Sequence, residues 1–350
     1  ARIMVAQLET GTPYMFYRDE VNRQNPNKHV NGEGRTSIYC SNLCTEIAQN
    51  MSATTIEQEY VDEDGNIVLI RKPGDFVVCN LSSINLPKAV QEGVLQRLIK
   101  IQMRMLDNTI DLNTIKVGQA RLTNQKYRAV GLGTFGWHHL LALKQIHWEA
   151  EEAVQFADEL YEEIAYHTIH SSMTLAKEKG AYSQFTGSEW KTGVYFDQKG
   201  YTSERWEVLK EDVAKFGVRN GWMMAVAPNS STAKIGGSTD GIDPLYAVEY
   251  AEEKKNFKFK VTAPDLTHHT YPYYRRARHE LDQVWSIKQN AARQRHIDQG
   301  ISFNLYVRHD IKAKDLLHLH LESWRQGLKT TYYVRSTSQT EIEECEACHS

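Results

Sequence analysis

The stretch that decides the fold is WMMAVAPNSSTAKIG, residues 222–236, where an apolar run passes into a polar turn. The run over 222–227 predicts a buried strand, and the turn predicts the start of a short helix. Further along, an extended segment over 297–306, a helix over 313–326 and a strand over 328–334 continue the same alternation. Strands that alternate with helices are typical of a largely parallel sheet or barrel, so we predict an α/β fold.

Two helices and a hairpin are predicted upstream of this stretch. Within 90–112, helical spacing of apolar residues predicts an amphipathic helix whose inward residues are Val94, Leu98, Ile101 and Met105. A second helix is predicted over 149–179, ending at Gly180, with inward residues Ala153, Phe156, Leu160, Ile164 and Ile169. Between the runs 54–60 and 67–71, Asp64-Gly65 is the pattern of a β-hairpin turn.

Two glycine-containing stretches have less regular patterns. Residues 10–17 alternate loosely and predict a strand that is followed by a loop. The stretch 130–136, VGLGTFG, could be mistaken for a dinucleotide-binding loop, but an acidic residue after a clear following strand is not evident, so we predict a close-packed turn there.

Composition excludes several classes of protein. The chain has 350 residues, 41% of them hydrophobic and 24% charged, which excludes disordered and collagen-like chains. Its 41 basic and 44 acidic residues give a net charge of −3, so we expect no nucleic-acid partner. The apolar runs are too short for a membrane span and the first residues lack a signal-peptide pattern, so we expect a cytoplasmic protein without a membrane partner. Five cysteines are too few for a disulfide scaffold, and they favour metal or redox chemistry.

Asn42, Cys44 and Glu46 form the first candidate site. In an extended chain these alternate residues share one face, which would align an amide, a thiol and a carboxylate. Such a set offers a hydrogen-bonding group, a redox-active sulfur and a general base to one small substrate. The alternative is an ordinary strand with a buried cysteine. Cys79 begins a second predicted strand, and both it and Cys40 are equally compatible with a small buried apolar role.

The polar turn that follows the strand over 222–227 is a candidate anion site. Small hydroxyl and amide residues after Pro228 supply side-chain and backbone donors, which can bind a phosphate without basic residues; they are Asn229, Ser230, Ser231 and Thr232. The alternative is a simple helix cap.

Two residue pairs near the end of the sequence are compatible with redox chemistry. Tyr332 and Tyr333 are adjacent phenols, which serve either in packing or as relay stations that lose an electron and a proton together. Cys345 and Cys348 form a C-x-x-C pair in a Ser/Thr/Glu-rich segment, which favours thiol–disulfide exchange over a haem or zinc site. We predict no metal site in this chain.

In combination, these motifs resemble the C-terminal part of the large, catalytic subunit of class I ribonucleotide reductases, where they occur in the same order. The segments that carry the resemblance are Asn42-Leu-Cys44-Thr-Glu46, CNLSSINL at 79–86, PNSSTA at 228–233, Tyr332-Tyr333 and Cys345-x-x-Cys348. Glu9-Thr-Gly-Thr-Pro-Tyr-Met and the VGLG at 130–133 are also similar. The resemblance implies part of a ten-stranded α/β barrel over residues 1–335, with long flanking helices, and a mobile redox tail over 336–350.

The resemblance also implies roles for these residues in the reduction of ribonucleoside diphosphates. Cys44 would become a thiyl radical that abstracts the 3′ hydrogen, Asn42 would bind the ribose hydroxyls, and Glu46 would take the 3′-hydroxyl proton. Cys79 would be one of two reducing thiols. The turn 229–232 would hold the diphosphate, Tyr332 and Tyr333 would relay the oxidising equivalent, and Cys345 and Cys348 would reduce the resulting disulfide.

The implied partners follow from these roles. A separate small subunit with a metal centre would supply the radical, no cofactor would be bound in this chain, and thioredoxin or glutaredoxin would be the reductant. The chain lacks a plausible partner cysteine for Cys79 and is much shorter than family large subunits, so it is either a fragment or one chain of a split subunit. We expect it to dock with an N-terminal part, which would cover exposed sheet edges.

Two alternatives remain open at this point. The first is a non-catalytic or regulatory chain that retains the fold but not the activity. The second is a cobalamin-dependent reductase, which would not need Tyr332 and Tyr333.

Overall fold

The computed structural model describes residues 2–29, 37–254 and 257–337. The α-helices are α1 Arg2–Thr10, α2 Arg18–Arg23, α3 Leu86–Gln91, α4 Leu95–Leu112, α5 Gly118–Tyr127, α6 Trp137–Leu143, α7 Glu151–Lys179, α8 Glu189–Thr192, α9 Val194–Lys199, α10 Glu204–Phe216, α11 Ser231–Ile235, α12 Tyr271–Tyr274, α13 Gln283–His296 and α14 Ala313–Arg325. The strands are β1 Met15–Phe16, β2 Thr55–Val61, β3 Ile67–Lys72, β4 Leu81–Asn85, β5 Gly131–Phe135, β6 Glu249–Lys254, β7 Phe257–Thr262, β8 Leu305–Val307, β9 Thr330–Thr331 and β10 Val334–Ser336.

A succession of parallel segments forms the centre of the fold. Strand β4 pairs with β5 in parallel, and β5 is joined to the predicted strand over 222–227 by a parallel bridge between Leu132 and Met224. A second parallel bridge joins Val226 of that segment to Ile301. Strand β8 begins four residues after Ile301 and pairs in parallel with β10. The α/β alternation that the sequence predicts is therefore confirmed.

The stretch 130–136 is a strand, and the prediction of a turn there is wrong. Residues 131–135 form β5, and all of them are buried. A Cβ atom added at Gly133 would lie 2.4 Å from the carbonyl oxygen of Ala225 on the neighbouring segment. The glycine therefore serves the close approach of two backbones rather than a turn.

The helices cover this sheet, and one of the two long helices has a different buried face from the predicted one. Helix α7 buries Ala153, Leu160, Ile164 and Ile169 as predicted, ends before Gly180, and packs against both α4 and α13. In α4, by contrast, Ile101 is 44% exposed and Met105 is 62% exposed. The buried face of α4 consists of Ile99, Met103, Leu106, Asp107 and Ile110. Within the described residues, no helix is long and apolar enough to span a membrane.

Two strand predictions are only partly correct, and both concern the region beside the paired tyrosines. Within 10–17, only Met15–Phe16 is a strand, and it pairs antiparallel with β9. The predicted strand over 328–334 is divided into β9 and β10, and Tyr332 and Tyr333 lie between them. The N-terminal segment is thereby brought against the tyrosine pair, about three hundred residues away in sequence.

The predicted hairpin is confirmed as β2–β3, which pair antiparallel with each other. At its base, Ser52 N donates to Asp75 O at 3.2 Å, and Asp75 N donates to Ser52 Oγ at 2.8 Å. The Asp75 carboxylate in turn accepts from Lys126 Nζ and from the Tyr127 hydroxyl, each at 2.9 Å. The hairpin is thus fixed to the body of the protein at its base, while its strands are exposed.

Candidate active site

Cys44 lies in a tight turn, so the extended conformation considered for 42–46, in which the three side chains would share one face, does not form. Thr45 N donates to Asn42 O at 3.1 Å, and Thr45 has a φ of +67°, in the left-handed region. The turn brings the ends of the motif together, because Asn42 Nδ2 donates to Glu46 Oε1 at 3.0 Å. The amide and the carboxylate therefore meet as the sequence predicts, but through a different backbone path.

Segment 300–302 holds this turn in place. Gly300 N donates to Glu46 O at 2.8 Å, and a Cβ at Gly300 would lie 2.6 Å from Thr45 O. The hydroxyl of Ser302 lies 2.5 Å from Cys44 O and 3.1 Å from Glu46 Oε2, so it can donate to either. Sequence reasoning missed Ser302, because its position in the site depends on pairing between distant segments.

The Cys44 thiol is half-buried and in contact with Tyr332. The Tyr332 hydroxyl donates to Cys44 Sγ at 3.7 Å. Burial raises the pKa of the Cys44 thiol above its usual value, a hydrogen bond from Tyr332 opposes that rise, and the nearby Glu46 charge adds to it. The sulfur therefore carries its hydrogen at neutral pH, as a hydrogen-atom donor must.

Glu46 is almost fully buried, at 2% exposed. Burial raises the pKa of its carboxyl group, and hydrogen bonds from its own backbone, from Asn42 and from Ser302 oppose the rise. A carboxylate whose pKa lies above its usual value is a better proton acceptor when ionised, so Glu46 has the properties of a general base.

Cys79 precedes β4 and is electrostatically coupled to the same site. Its thiol is free and reaches solvent. Partial burial nevertheless raises the pKa of this thiol to about 11, and the nearby Glu46 and Cys44 charges add to the rise. Cys40, in contrast, is exposed, and its Sγ lies 3.6 Å from the sulfur of Met51. The structure therefore distinguishes Cys79, which is coupled to the candidate site, from Cys40, although the local sequence allows the same interpretation for both cysteines.

The turn after Pro228 borders a cavity of about 300 Å³ that also has Ser302 and Tyr332 in its wall. Asn229 and Ser230 line this cavity, whereas Ser231 and Thr232 lie exposed in the first turn of α11. Asn229 Nδ2 donates to Ser83 Oγ on β4 at 2.9 Å, which fixes the turn to the sheet. The candidate anion turn thus lies on the same cavity as Ser302 and Tyr332, two residues that hydrogen-bond to Cys44.

The paired tyrosines are in ring contact, and a third tyrosine joins them. The ring centroids of Tyr332 and Tyr333 are 4.4 Å apart, and the Arg335 guanidinium lies 4.0 Å from the centroid of the Tyr333 ring. The ring of Tyr14 packs against both, with centroids 4.8 Å from Tyr332 and 5.0 Å from Tyr333. Tyr14 lies in the stretch Glu9–Met15 that is also similar to the family, but no role is predicted for it.

Cys345 and Cys348 lie outside the described residues, as does most of the predicted tail over 336–350. Among residues 2–29, 37–254 and 257–337, no group of three His, Cys, Asp or Glu side chains could hold a metal ion.

Comparison with known proteins gives a consistent family. Residues 1–334 match the family described as "Ribonucleotide reductase, barrel domain". The chain is 48% identical over 353 residues to the ribonucleoside-diphosphate reductase subunit alpha of Treponema pallidum, which covers 99% of this chain and 41% of that protein. It is 36% identical over 387 residues to the subunit alpha of Helicobacter pylori, covering 96% of this chain and 48% of that protein. The chain thus spans less than half the length of these relatives.

Proposed function

The chain belongs to the ribonucleotide reductase barrel-domain family, and on that premise we propose that it is the C-terminal part of a reductase alpha subunit. It would take part in the reduction of ribonucleoside diphosphates to 2′-deoxyribonucleoside diphosphates. The observation that carries this proposal is the contact of 3.7 Å between the Tyr332 hydroxyl and Cys44 Sγ. It joins a phenol that can be oxidised to a thiol whose turn also carries an amide and a buried carboxylate, Asn42 and Glu46.

The radical step uses Tyr332 and Cys44. A phenoxyl radical at Tyr332 takes a hydrogen atom from Cys44, which restores the phenol and leaves a thiyl radical. The thiyl radical then abstracts the 3′ hydrogen of the ribose, so that its S–H bond forms again and the radical passes to the substrate. The half-buried position of Cys44 supports this role, because a sulfur radical must be shielded from water and oxidants.

The remaining chemistry is the removal of the 2′-hydroxyl group as water. Glu46 takes the 3′-hydroxyl proton, and Asn42 binds the ribose hydroxyls; the hydrogen bond of 3.0 Å between them supports their action on one sugar. Cys79 supplies one of the two thiols that are oxidised to a disulfide, and a cysteine of the N-terminal part supplies the other. Cys345 and Cys348 would then reduce that disulfide and be reduced in turn by thioredoxin or glutaredoxin.

The substrate diphosphate is proposed to bind at the turn 229–232. Asn229 and Ser230 support this most directly, because they line the cavity that reaches Tyr332. Ser231 and Thr232 would contribute backbone and hydroxyl donors from the first turn of α11.

The proposal requires two further chains and a reducing compartment. A radical-generating small subunit with a metal centre supplies the oxidising equivalent to Tyr333, and an N-terminal part of the large subunit supplies the missing half. A cytoplasmic location belongs to the proposal, because the thiols Cys44 and Cys79 must stay reduced to act.

The test is CDP reduction by the chain assembled with the N-terminal part and the small subunit. We expect Cys44→Ser to abolish turnover, because oxygen cannot replace the sulfur as radical carrier. The matched control is Cys40→Ser, which removes an exposed thiol four residues away and should retain full turnover. Full turnover by Cys44→Ser, or no turnover by the unaltered assembly, would favour the non-catalytic alternative.

A further inference from the structure

Tyr14, Tyr332 and Tyr333 form a closed group of three phenols, which we name the tyrosine triangle. Every pair of rings is in contact, with centroid separations of 4.4 Å, 4.8 Å and 5.0 Å. The contacts of Tyr14 with the two relay residues are almost equal in length.

The fold places Tyr14 there by strand pairing. In the antiparallel pair β1–β9, Phe16 lies opposite Thr330 and Met15 opposite Thr331, so continuing this register sets Tyr14 beside Tyr332. Val334 N donates to Gly11 O at 3.2 Å on the other side of the pair. Gly11 has a φ of +77°, and a Cβ there would lie 3.0 Å from Cδ1 of Tyr333. The N-terminal segment is therefore held against both tyrosines at two points.

The chemical state of Tyr14 suits the same redox step as its neighbours. Burial, followed by the adjacent Tyr333 phenol, raises the pKa of Tyr14 to about 12, so the phenol is neutral at physiological pH. A neutral phenol is oxidised by losing an electron and a proton together. Tyr14 can exchange that electron and that proton with the neighbouring phenols of Tyr332 and Tyr333.

We propose that Tyr14 is a third station of the radical relay, which exchanges a hydrogen atom with Tyr333 and with Tyr332. The inference rests on the proposed function. A phenoxyl radical at Tyr333, generated by the small subunit's metal-linked radical, takes a hydrogen atom from Tyr14, so the Tyr333 O–H bond forms as that of Tyr14 breaks. The Tyr14 radical then takes a hydrogen atom from Tyr332, which next oxidises Cys44. The triangle thus offers a second route between the two residues of the relay.

The decisive experiment replaces Tyr14 by 3-aminotyrosine, which is oxidised more readily than tyrosine, in the complete assembly with small subunit and CDP. We expect an aminotyrosyl radical at position 14, detected by electron paramagnetic resonance. The matched control is 3-aminotyrosine at Tyr17, three residues along, whose hydroxyl donates to the backbone oxygen of His320 at 2.8 Å. We expect no radical at position 17.

A third substitution separates failure of this inference from failure of the proposed function. With 3-aminotyrosine at Tyr332, the proposed relay must give a radical. A signal at 332 with none at 14 overturns the third station alone, whereas silence at both positions overturns the reductase proposal as well. Equal signals at 14 and 17 would also overturn the inference, because the label would then trap radicals without regard to the triangle.

A kinetic measurement tests the same inference with an unlabelled chain. Tyr14→Phe keeps the ring contacts and removes only the oxidisable hydroxyl. We expect kcat to fall by roughly twofold to tenfold, because the direct route from Tyr333 to Tyr332 remains, with KM unchanged, because the group acts only after the radical has entered. An unchanged kcat would assign Tyr14 to packing.

Discussion

Thr45 lies in the tight turn that carries Cys44 and Glu46. Its φ of +67° lies in a region that β-branched residues rarely adopt, and it stands between the two residues with the most reactive side chains, Cys44 and Glu46. The backbone strain is maintained by neighbours, since Gly300 packs against the Thr45 carbonyl. Strained backbone of this kind is concentrated at functional sites, where surrounding packing enforces it.

Ser302 tunes the proton affinity of Glu46. Its hydroxyl lies 3.1 Å from Glu46 Oε2, and its hydrogen bond favours the ionised carboxylate and so lowers the pKa that burial raises. Ser302→Ala should therefore raise the Glu46 pKa further. As the pH is lowered, the carboxylate would then be protonated, and lost as a base, already at a higher pH than in the unaltered chain. We expect the acid limb of the kcat/KM profile for CDP reduction to move to higher pH.

The control for this prediction is Ser323→Ala, which removes another buried hydroxyl, one that donates to Leu319 O within α14. Its profile should match that of the unaltered chain. An acid limb that stays in place in Ser302→Ala would contradict the proposed role of Glu46 as the general base.

Tyr332 distinguishes the relay from a cobalamin-dependent reductase. Tyr332→Phe retains the ring and removes the hydroxyl that donates to Cys44 Sγ. We expect CDP reduction to fall below detection with CDP binding unchanged, because only the relay needs an oxidisable phenol. Binding is measured by calorimetry and turnover by product formation. The control Tyr39→Phe alters an exposed tyrosine and should leave both unchanged; normal turnover of Tyr332→Phe would support the cobalamin alternative.

At the scale of single elements, β5 shows how a glycine can be misread. The added Cβ of Gly133 would meet the Ala225 carbonyl at 2.4 Å, so Gly133→Ala must push apart two neighbouring parallel segments. We expect it to lower the free energy of unfolding by about 1–3 kcal/mol, the usual cost of overpacking. Urea unfolding measures the change.

Gly118 provides the comparison, because it is exposed at the start of α5 and an added Cβ there meets nothing within 4 Å. Gly118→Ala should not destabilise the protein; it should leave the free energy of unfolding unchanged or raise it by up to about 1 kcal/mol, because alanine favours the helix. Equal effects of the two substitutions would show that the close approach at β5 is not the reason for its glycine.

Local sequence patterns predicted where the helices lie better than they predicted which residues of each helix are buried. Helix α7 was predictable, because one apolar stripe and Gly180 fix both its face and its end. Helix α4 carries two candidate stripes, and only packing decides that Ile99 and Met103 are buried while Met105 is exposed. In β5, the same glycines that indicate a turn locally are required by a neighbouring segment ninety residues away.

In the candidate site, too, some residues could be predicted from local sequence and others could not. Its candidate residues, among them Asn42, Cys44 and Tyr332, could be named from motifs. The structure brings Cys44 into contact with Tyr332. The supporting residues could not, because Ser302 and Tyr14 reach the site through pairing between segments far apart in sequence. Likewise, the turn at Thr45 depends on contacts with Gly300 and not on any local turn signal.

At the scale of the whole molecule, the parallel succession has an open edge. Within the described parts of the chain, β4 pairs only with β5, which leaves the opposite edge of β4 without a neighbouring strand. Because β4 follows Cys79 and carries Ser83, which holds Asn229, a partner at this edge would act directly on the site. This is where we expect the N-terminal part to complete the fold.

Hydrogen exchange tests this expectation. Addition of the N-terminal part should slow amide exchange over Leu81–Asn85, because newly paired or covered amides are protected. Peptides from α10, Glu204–Phe216, serve as the internal reference and should exchange as before. Unchanged exchange in β4 alongside proven association would place the docking surface elsewhere.

The exposed hairpin β2–β3 has a consequence for how relatives are found. The Cys44 turn and the approach to Cys79 are joined at its base, where Ser52 and Asp75 bond and Asp75 is anchored by Tyr127. The strands beyond that base can lengthen, shorten or vanish in evolution without moving either thiol. A search that demands a constant spacing between the two cysteines would therefore discard true homologues, whereas one that allows any insertion between 52 and 75 would retain them.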